Sequence, residues 1–225
     1  FTLRKIDKNL SVSNAISELF MNLGFTKEKY PVIHHGISID DFDKEAYTAN
    51  CRKANPQLVI VGRMEKFKGH HFLIDALPAV IKVFPTTKLL VLGEGSEKIK
   101  LVERINGLGL QNHVEFLGFQ QHPYSYIVHS DVIVLPSLFE PFGLVYIEAF
   151  ALQTPVVAFD TAAGNEIMED GKTALLAEKG NSNQLAQKII YLLRHPEEKK
   201  RITRAAYEKY KNNFLIIYNF IKYYN

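Results

Sequence analysis

Two carboxylates, Glu140 and Glu148, stand in the segment LPSLFEPFGLVYIEA with seven residues between them, a spacing suited to ligand binding. Pro141 is typical of the first turn of a helix, so Glu140 falls in a loop and Glu148 about one turn into the helix that follows. Gly143 would let backbone amides approach a ligand closely. Because a carboxylate accepts hydrogen bonds from a vicinal diol, this pair predicts a ligand that carries sugar hydroxyls.

Two cations occupy another loop, GRMEKFKG at positions 62–69, which follows an apolar run and precedes a pattern of helical period. Arg63 and Lys68 would lie near a helix N-terminus, whose free N–H groups attract anions. Two cations in such a position indicate a phosphate or diphosphate ligand. The alternative is that these loop charges are simply solvated.

The remaining motifs predict no further chemistry. Gly93 and Gly95 lack the third glycine of a dinucleotide-binding fingerprint and indicate a turn. Asp41 and Asp43 spell the Asp-x-Asp string of metal-dependent transferases of another fold, but their polar surroundings favour a surface turn. None of the eight histidines has a partner at zinc-ligand spacing. We therefore expect no metal site and no cofactor.

Short β-branched runs alternate with longer segments of helical period between residues 57 and 200, which is typical of a parallel sheet covered by helices. Strands are predicted at 58–61, 88–92, 113–116, 132–135 and 155–159, and helices at 72–84, 96–107, 143–152 and 182–194. The predicted fold class is α/β, a Rossmann-like parallel sheet sandwiched by helices. In such a sheet a ligand binds beyond the carboxyl ends of the strands, where both charged loops fall.

The two ends of the chain differ from this central part. Residues 1–55 are predicted to form a linker packed on the domain, with a helix at 14–22 capped by Ser13 and a strand at 30–34. Residues 206–225 carry aromatic side chains at three- and four-residue steps, mixed with lysines, and predict an amphipathic helix. The pattern leaves open whether this helix packs on its own domain, docks on another surface or contacts a membrane.

Composition excludes several classes of protein. The 225 residues carry 27 Lys and Arg against 24 Asp and Glu, and 47% are hydrophobic, so the chain is globular and its net charge of +3 indicates no nucleic-acid partner. The single cysteine, Cys51, rules out an internal disulfide and indicates a reducing compartment. No apolar run reaches the roughly 18 residues of a membrane span. Because the chain opens on Phe1 without an apolar leader, we expect it to be part of a longer polypeptide.

Several motifs together resemble a known family. The string from Ser137 to Ala149, together with Val61-Gly62-Arg63 and Lys68-Gly69, closely resembles the C-terminal, donor-binding domain of the family-four (group 1) retaining glycosyltransferases. These enzymes have the two-domain GT-B architecture, so the chain would be one half of such an enzyme. The resemblance covers about residues 11–204 and departs from the family where His34-His35-Gly36 replaces a Pro-Asn-Gly string.

The resemblance implies a role for each matching residue. Glu148 would bind the ribose hydroxyls of a nucleotide-sugar, Arg63 and Lys68 its diphosphate, and Glu140 the transferred sugar. The implied catalytic residues are Arg63, Lys68 and Glu140, and the implied donor-binding residues are Gly62, Phe142, Gly143, Leu144, Val145 and Glu148. The donor would be linked to UDP, GDP or ADP, with base contacts near Gly118 and Phe119. No metal is then required, because fixed cations and helix-terminal amides stabilise the departing diphosphate.

The resemblance also assigns the parts of the chain and their partners. Residues 56–205 would form the nucleotide-sugar-binding domain, and the helix at 206–225 would pack against an N-terminal domain that binds a glycan or lipid acceptor. Without that domain we expect the chain to bind donor but not to transfer sugar. The expected location is the cytoplasm, at the inner face of the membrane if the whole protein associates peripherally.

Two other functions remain open at the level of sequence. A nucleotide-sugar epimerase of the same architecture would cleave the same bond without an external acceptor. A flavodoxin-like or receiver-like binding module shares the alternation of strands and helices. The basic loop at 62–69 disfavours the second reading, because such modules carry an acidic cluster or a phosphate loop after the first strand.

Overall fold

A six-stranded parallel sheet forms the centre of the protein in a computed structural model, which describes residues 9–38 and 56–215. The strands are β1 (Gln57–Val61), β2 (Lys88–Leu92), β3 (Val114–Gly118), β4 (Val132–Leu135), β5 (Val156–Phe159) and β6 (Leu175–Ala177). Their order across the sheet is β3-β2-β1-β4-β5-β6, and every adjacent pair is parallel. The α/β, Rossmann-like prediction is confirmed.

Eight α-helices connect and flank the strands in the described part of the chain. They are α1 (Asn14–Asn22), α2 (His70–Val83), α3 (Lys98–Gly107), α4 (Tyr124–Val128), α5 (Leu144–Ala151), α6 (Ala162–Ile167), α7 (Ser182–Arg194) and α8 (Pro196–Asn213), with short 3-10 helices at Lys27–Lys29 and Lys66–Lys68. The predicted bounds of α1 and α7 agree with these, and Ser13 caps α1 by accepting a hydrogen bond from Ile16 N.

Apolar side chains cover both faces of the sheet. Leu58 and Ile60 of β1 point to the face packed by α2, α3 and α7, whereas Val59 points to the face packed by α5 and α8. All three side chains are buried. Because successive residues of a strand alternate between faces, a sheet buried on both sides requires the continuous apolar runs that the sequence shows.

Several elements differ from the sequence prediction. The strand β6 and the helices α4 and α6 were not predicted, because each is six residues or fewer and lacks a clear period. The strand predicted at 30–34 is reduced to a single bridge between Val32 and Ser11. The metal-like pair Asp41 and Asp43 lies outside the described residues.

The C-terminal helix also differs from the prediction. It is α8, which starts at Pro196 rather than near residue 206, since proline suits the first turn of a helix. Tyr210 and Phe214 are buried in the same apolar cluster as Phe150 of α5. Up to residue 215, this segment therefore packs on its own domain, whereas residues 216–225 lie outside the described part and their contact with another domain stays a prediction. Within the described residues, no helix combines the length and hydropathy needed to cross a membrane.

The order of the strands creates a crevice at the centre of the sheet. The chain runs outward from β1 to β3 on one side and from β4 to β6 on the other, and the helices that follow β1 and β4 pack on opposite faces of the sheet. Arg63 and Lys68 lie between β1 and α2, Glu140 lies between β4 and α5, and Glu148 lies on α5 itself. The topology therefore brings all four side chains to the carboxyl end of the sheet.

Candidate functional site

A cavity of about 550 Å³ opens beyond the carboxyl ends of β1 and β2, beside the start of α5. Its lining includes Gly62 and Arg63 from the loop after β1, Glu94 from the loop after β2, and Val145 and Glu148 from α5. The wall is mostly apolar, with a few charged groups facing into it, which is the usual composition of a small-molecule site. Four predicted site residues, Gly62, Arg63, Val145 and Glu148, are thus brought to one cavity.

Glu148 lies on α5 with its carboxylate against the cavity wall. Burial raises the pKa of Glu148, and a hydrogen bond from the Tyr124 hydroxyl at 3.5 Å opposes that rise. The pKa of Tyr124 is itself raised to about 12, first by burial and then by the charge of Glu148. A partly desolvated carboxylate with one weak donor has acceptor capacity left for a ligand's hydroxyl groups.

Lys68 and Glu140 form an ion pair in which Lys68 Nζ lies 2.6 Å from Glu140 Oε2. Their side chains are only 20% and 13% exposed, so the pair is largely shielded from solvent. The stem of Lys68 passes the edge of the main cavity, since a Cβ placed on Gly62 would lie 3.9 Å from Lys68 Cδ. Glu140 in turn lines a smaller cavity of about 210 Å³. The pair therefore joins a lysine beside Gly62 of the main cavity to a carboxylate that lines the smaller one.

The ion pair exists because the loops after β1 and β4 touch. Gly69 has φ +72°, and a Cβ on it would lie 1.8 Å from the carbonyl oxygen of Pro136, so no other residue fits there. Leu138 N also donates a 2.7 Å hydrogen bond to Phe67 O. This backbone contact sets Lys68 beside Glu140.

The turn into α5 depends on Gly143, which has φ +102°. A Cβ at this position would lie 2.3 Å from the ring of Tyr146 and 3.2 Å from Glu140 Cγ. The Tyr146 side chain is buried. Burial, then the charge of Glu140, raises the pKa of Tyr146 far above its usual value.

Not every predicted donor-binding residue faces a cavity with its side chain. Phe142 is 3% exposed and packs among His34, His35 and Phe214. Leu144 is 41% exposed at the first position of α5 and lines neither cavity. Neither side chain lines one of the two cavities, so the donor-binding role of Phe142 and Leu144 stays a prediction.

Three residues of the cavity region were not predicted as site side chains. Glu94 and Phe119 line it, and Tyr124 holds Glu148. Phe119 is 78% exposed, although aromatic side chains usually bury their rings. The resemblance implied base contacts near Phe119 without a role for its side chain, and the position after β3 places the ring at the edge where the carboxyl ends of the parallel strands meet. Among the described residues there is no group of three or more His, Cys, Asp and Glu side chains suited to a metal.

Comparisons with known proteins agree with this geometry. The family model for glycosyl transferases group 1 matches residues 41–209. A glycogen synthase of Mycobacterium tuberculosis is 31% identical over 91% of this chain and 49% of its own length. A phosphatidyl-myo-inositol mannosyltransferase of Mycobacterium leprae is 32% identical over 78% of this chain and 47% of its own. The chain thus spans about half the length of these curated relatives.

Solved structures show the same fold. The HepE protein of Anabaena, in a crystal structure titled as a complex with UDP-glucose, has a TM-score of 0.84 and 27% identity, covering 96% of this chain and 62% of that one. The C-terminal domain of a group 1 glycosyl transferase from Francisella tularensis has a TM-score of 0.69 and 26% identity, covering 78% of this chain and 94% of that domain. The chain belongs to the group 1 glycosyl transferases, and its Rossmann-like fold corresponds to the C-terminal domain of these GT-B proteins.

Proposed function

We propose that this chain binds the nucleotide-sugar donor of a retaining glycosyltransferase in the cavity beyond β1 and β2. The observation that carries the proposal is the placement of Arg63 and Glu148 in one largely apolar cavity, with Lys68 at its edge. The ribose hydroxyls of the donor would be held by Glu148, and the diphosphate by the two cations. The exposed ring of Phe119 offers a stacking surface for the base.

The sugar would lie toward Glu140, past the ion pair. Cleavage of the glycosidic bond leaves negative charge on the diphosphate, and fixed cations stabilise this charge as it develops. Free backbone N–H groups at the start of α5 would add to that stabilisation. This arrangement requires no metal ion. Front-face attack assisted by the departing phosphate would retain the configuration at the sugar.

The proposed acceptor and the proposed cellular compartment rest on the family to which the chain belongs, not on the geometry of the cavity. A glycan or glycolipid acceptor, used in polysaccharide or glycolipid synthesis, would be held largely by an N-terminal domain. Relatives of both kinds exist, since one is named a glycogen synthase and another a phosphatidyl-myo-inositol mannosyltransferase. Cytoplasmic nucleotide-sugars would place the reaction in the cytoplasm, with peripheral membrane contact for a lipid acceptor.

Isothermal titration calorimetry with UDP, GDP and ADP tests the proposal on this chain. We expect one of the three to bind, and Glu148→Ala to weaken it about tenfold or more, because each hydrogen bond to a charged group contributes roughly 1.5–3 kcal/mol. Glu178→Ala, a change of an exposed glutamate outside both cavities, is the matched control. Absence of binding to any of the three nucleotides would overturn the proposal.

A further inference from the structure

The carboxylate of Glu166 joins two parts of the chain that are far apart in sequence. It accepts hydrogen bonds from Asn14 N at 2.8 Å, Asn14 Nδ2 at 2.7 Å and Ala15 N at 2.9 Å. These backbone donors belong to the first turn of α1, where N–H groups have no partner within the helix. A carboxylate at a helix N-terminus also interacts favourably with the helix dipole. Glu166 thus fixes the start of α1 on the body of the domain.

Ser13, the N-cap of α1, connects the start of this helix to the loop between β4 and α5, which carries Glu140 and Pro141. Its hydroxyl accepts a hydrogen bond from Ile16 N at 3.2 Å and donates one to Pro141 O at 2.6 Å. The Ser13 side chain is fully buried, so neither bond competes with water. Pro141 stands directly after Glu140, and holding its carbonyl restrains the loop that carries the carboxylate.

His34 reaches the same loop from another direction. Its Nε2 lies 3.0 Å from Glu166 Oε2, and its ring stacks on Phe142 with centroids 5.4 Å apart and planes at 30°. The ring of His35 packs on Phe142 edge-on at 5.5 Å. Both histidines belong to the string that departs from the family pattern, so this contact is a feature of this chain.

Glu166 is held as a charged group. Burial alone would raise its pKa, but the hydrogen bonds from Asn14, Ala15 and His34 outweigh that effect and lower the pKa below its usual value. The interaction is therefore charge-assisted, which makes each hydrogen bond roughly twice as strong as one between neutral groups.

We propose that Glu166 is a positioning residue, which holds the Glu140–Phe142 loop in its sugar-binding shape through Ser13 on one side and His34 on the other. The inference rests on the proposed donor-binding function. Glu166 does not line the donor cavity, and it acts through the two residues that contact the loop. Loss of the network would leave the ribose and diphosphate contacts in place and loosen the part that holds the sugar.

The test compares nucleotides with and without sugar on purified 225-residue chains. Calorimetry with UDP and UDP-glucose, GDP and GDP-mannose, and ADP and ADP-glucose gives the gain in affinity that the sugar contributes. We expect Ser13→Ala and Glu166→Gln to reduce that gain about tenfold while the affinity for the nucleoside diphosphate changes less than twofold. Ser13→Thr retains a hydroxyl that can both donate and accept, so it should keep the gain.

Glu169→Gln is the matched control, because Glu169 lies three residues from Glu166 and pairs with Lys172 and Lys209 instead of the loop. Hydrogen exchange of the peptide at 139–144 adds a readout that needs no ligand. Faster exchange of this peptide in Glu166→Gln than in Glu169→Gln supports the proposal, and thermal melts identify any variant that is simply unfolded.

Two failures can be told apart. If the wild-type chain binds no nucleotide, the donor-binding function is wrong, and the exchange of 139–144 alone decides the positioning role. If the wild type binds nucleotide-sugars but both variants keep the full sugar gain and an unchanged exchange rate, the positioning role is wrong and the donor-binding function stands.

Discussion

Lys68 Nζ lies 2.6 Å from Glu140 Oε2, so a diphosphate that reaches this lysine competes with a carboxylate already in place. Glu140→Gln removes that competition, and we expect the chain to bind a nucleoside diphosphate several times more tightly. Lys68→Ala should weaken the same binding about tenfold, since a charge-assisted contact is lost. Calorimetry at fixed ionic strength measures both.

Lys200→Ala is the control for this pair of variants, because Lys200 pairs with Glu197 on the exposed side of α8. If Glu140→Gln and Lys68→Ala both weakened diphosphate binding equally, the ion pair would be structural and the lysine would not be a phosphate ligand.

We expect the buried carboxylate of Glu148 to lower the stability of the fold at pH 7 while it contributes to nucleotide binding. Burial raises its pKa above 4.5, so the folded state holds this proton more tightly than the unfolded state does. Its contribution to the free energy of unfolding is therefore fully present below pH 4.5 and is lost as pH rises through the raised pKa. Glu148→Gln should melt higher than the wild type at pH 7, with a smaller difference at pH 4, and bind nucleotide poorly. Equal melting temperatures at both pH values would refute the burial effect.

Gly143→Ala should lower the free energy of unfolding by more than the strain of a left-handed backbone alone explains. The left-handed backbone costs roughly 1–2 kcal/mol for a residue with a Cβ, and here the Cβ also meets the Tyr146 ring at 2.3 Å. Gly109→Ala is matched to it, since Gly109 has φ +68° and nothing within 4 Å of its Cβ position. Denaturant unfolding should show a larger loss of stability for Gly143→Ala, and similar losses in the two variants would contradict the clash.

We expect His70 to lower the free energy of unfolding of the protein at acidic pH. It begins the buried stripe of α2, it is 4% exposed, and neither ring nitrogen has a hydrogen-bond partner among the described residues. Burial, then the positive charge of Lys68, lowers its pKa from 6.5 to about 4. The unfolded state therefore takes up the proton first, and stability is present above pH 6.5 and declines as pH falls to about 4.

The corresponding variant is His70→Leu, which removes both the titration and the unpartnered nitrogens. We expect it to be more stable than the wild type at pH 7 by roughly 1–3 kcal/mol, because a buried polar group without a partner costs about that much. The difference should grow as pH falls from 7 to 4 in urea unfolding curves. A difference that is constant with pH would show that His70 does not titrate between the two states.

The sequence predicted the parts of this molecule that depend on neighbouring residues. Ser13 as the cap of α1, the central strands and the helix after Gly143 are all local patterns. The strand β6 was missed because Leu175–Ala177 is only three residues long and has no β-branched side chain. The C-terminal helix was predicted too late because aromatic side chains recur at three- and four-residue steps only from Tyr207 onward, whereas α8 already starts at Pro196.

In the candidate site, too, local motifs could be predicted from the sequence and contacts between distant residues could not. The motifs predicted Arg63, Lys68, Glu140 and Glu148 as site residues, and the strand order explains why all four lie at the carboxyl end of the sheet. The ion pair between Lys68 and Glu140 joins residues 72 apart and depends on the close approach of Gly69 to Pro136. The contact of Tyr124 with Glu148 likewise arises only from packing. Such contacts leave no period or spacing in the sequence.

The hydrogen bond from Ser13 to Pro141 spans 128 residues, and that from Asn14 to Glu166 spans 152. During synthesis at roughly 5–20 residues per second, Asn14 is added about 8–30 s before Glu166. Ser13 has no loop to hold until Pro141 is made, and the first turn of α1 lacks its carboxylate until Glu166 is made. The network that restrains the loop between β4 and α5 is therefore completed only after the strands β1 to β5 have been made.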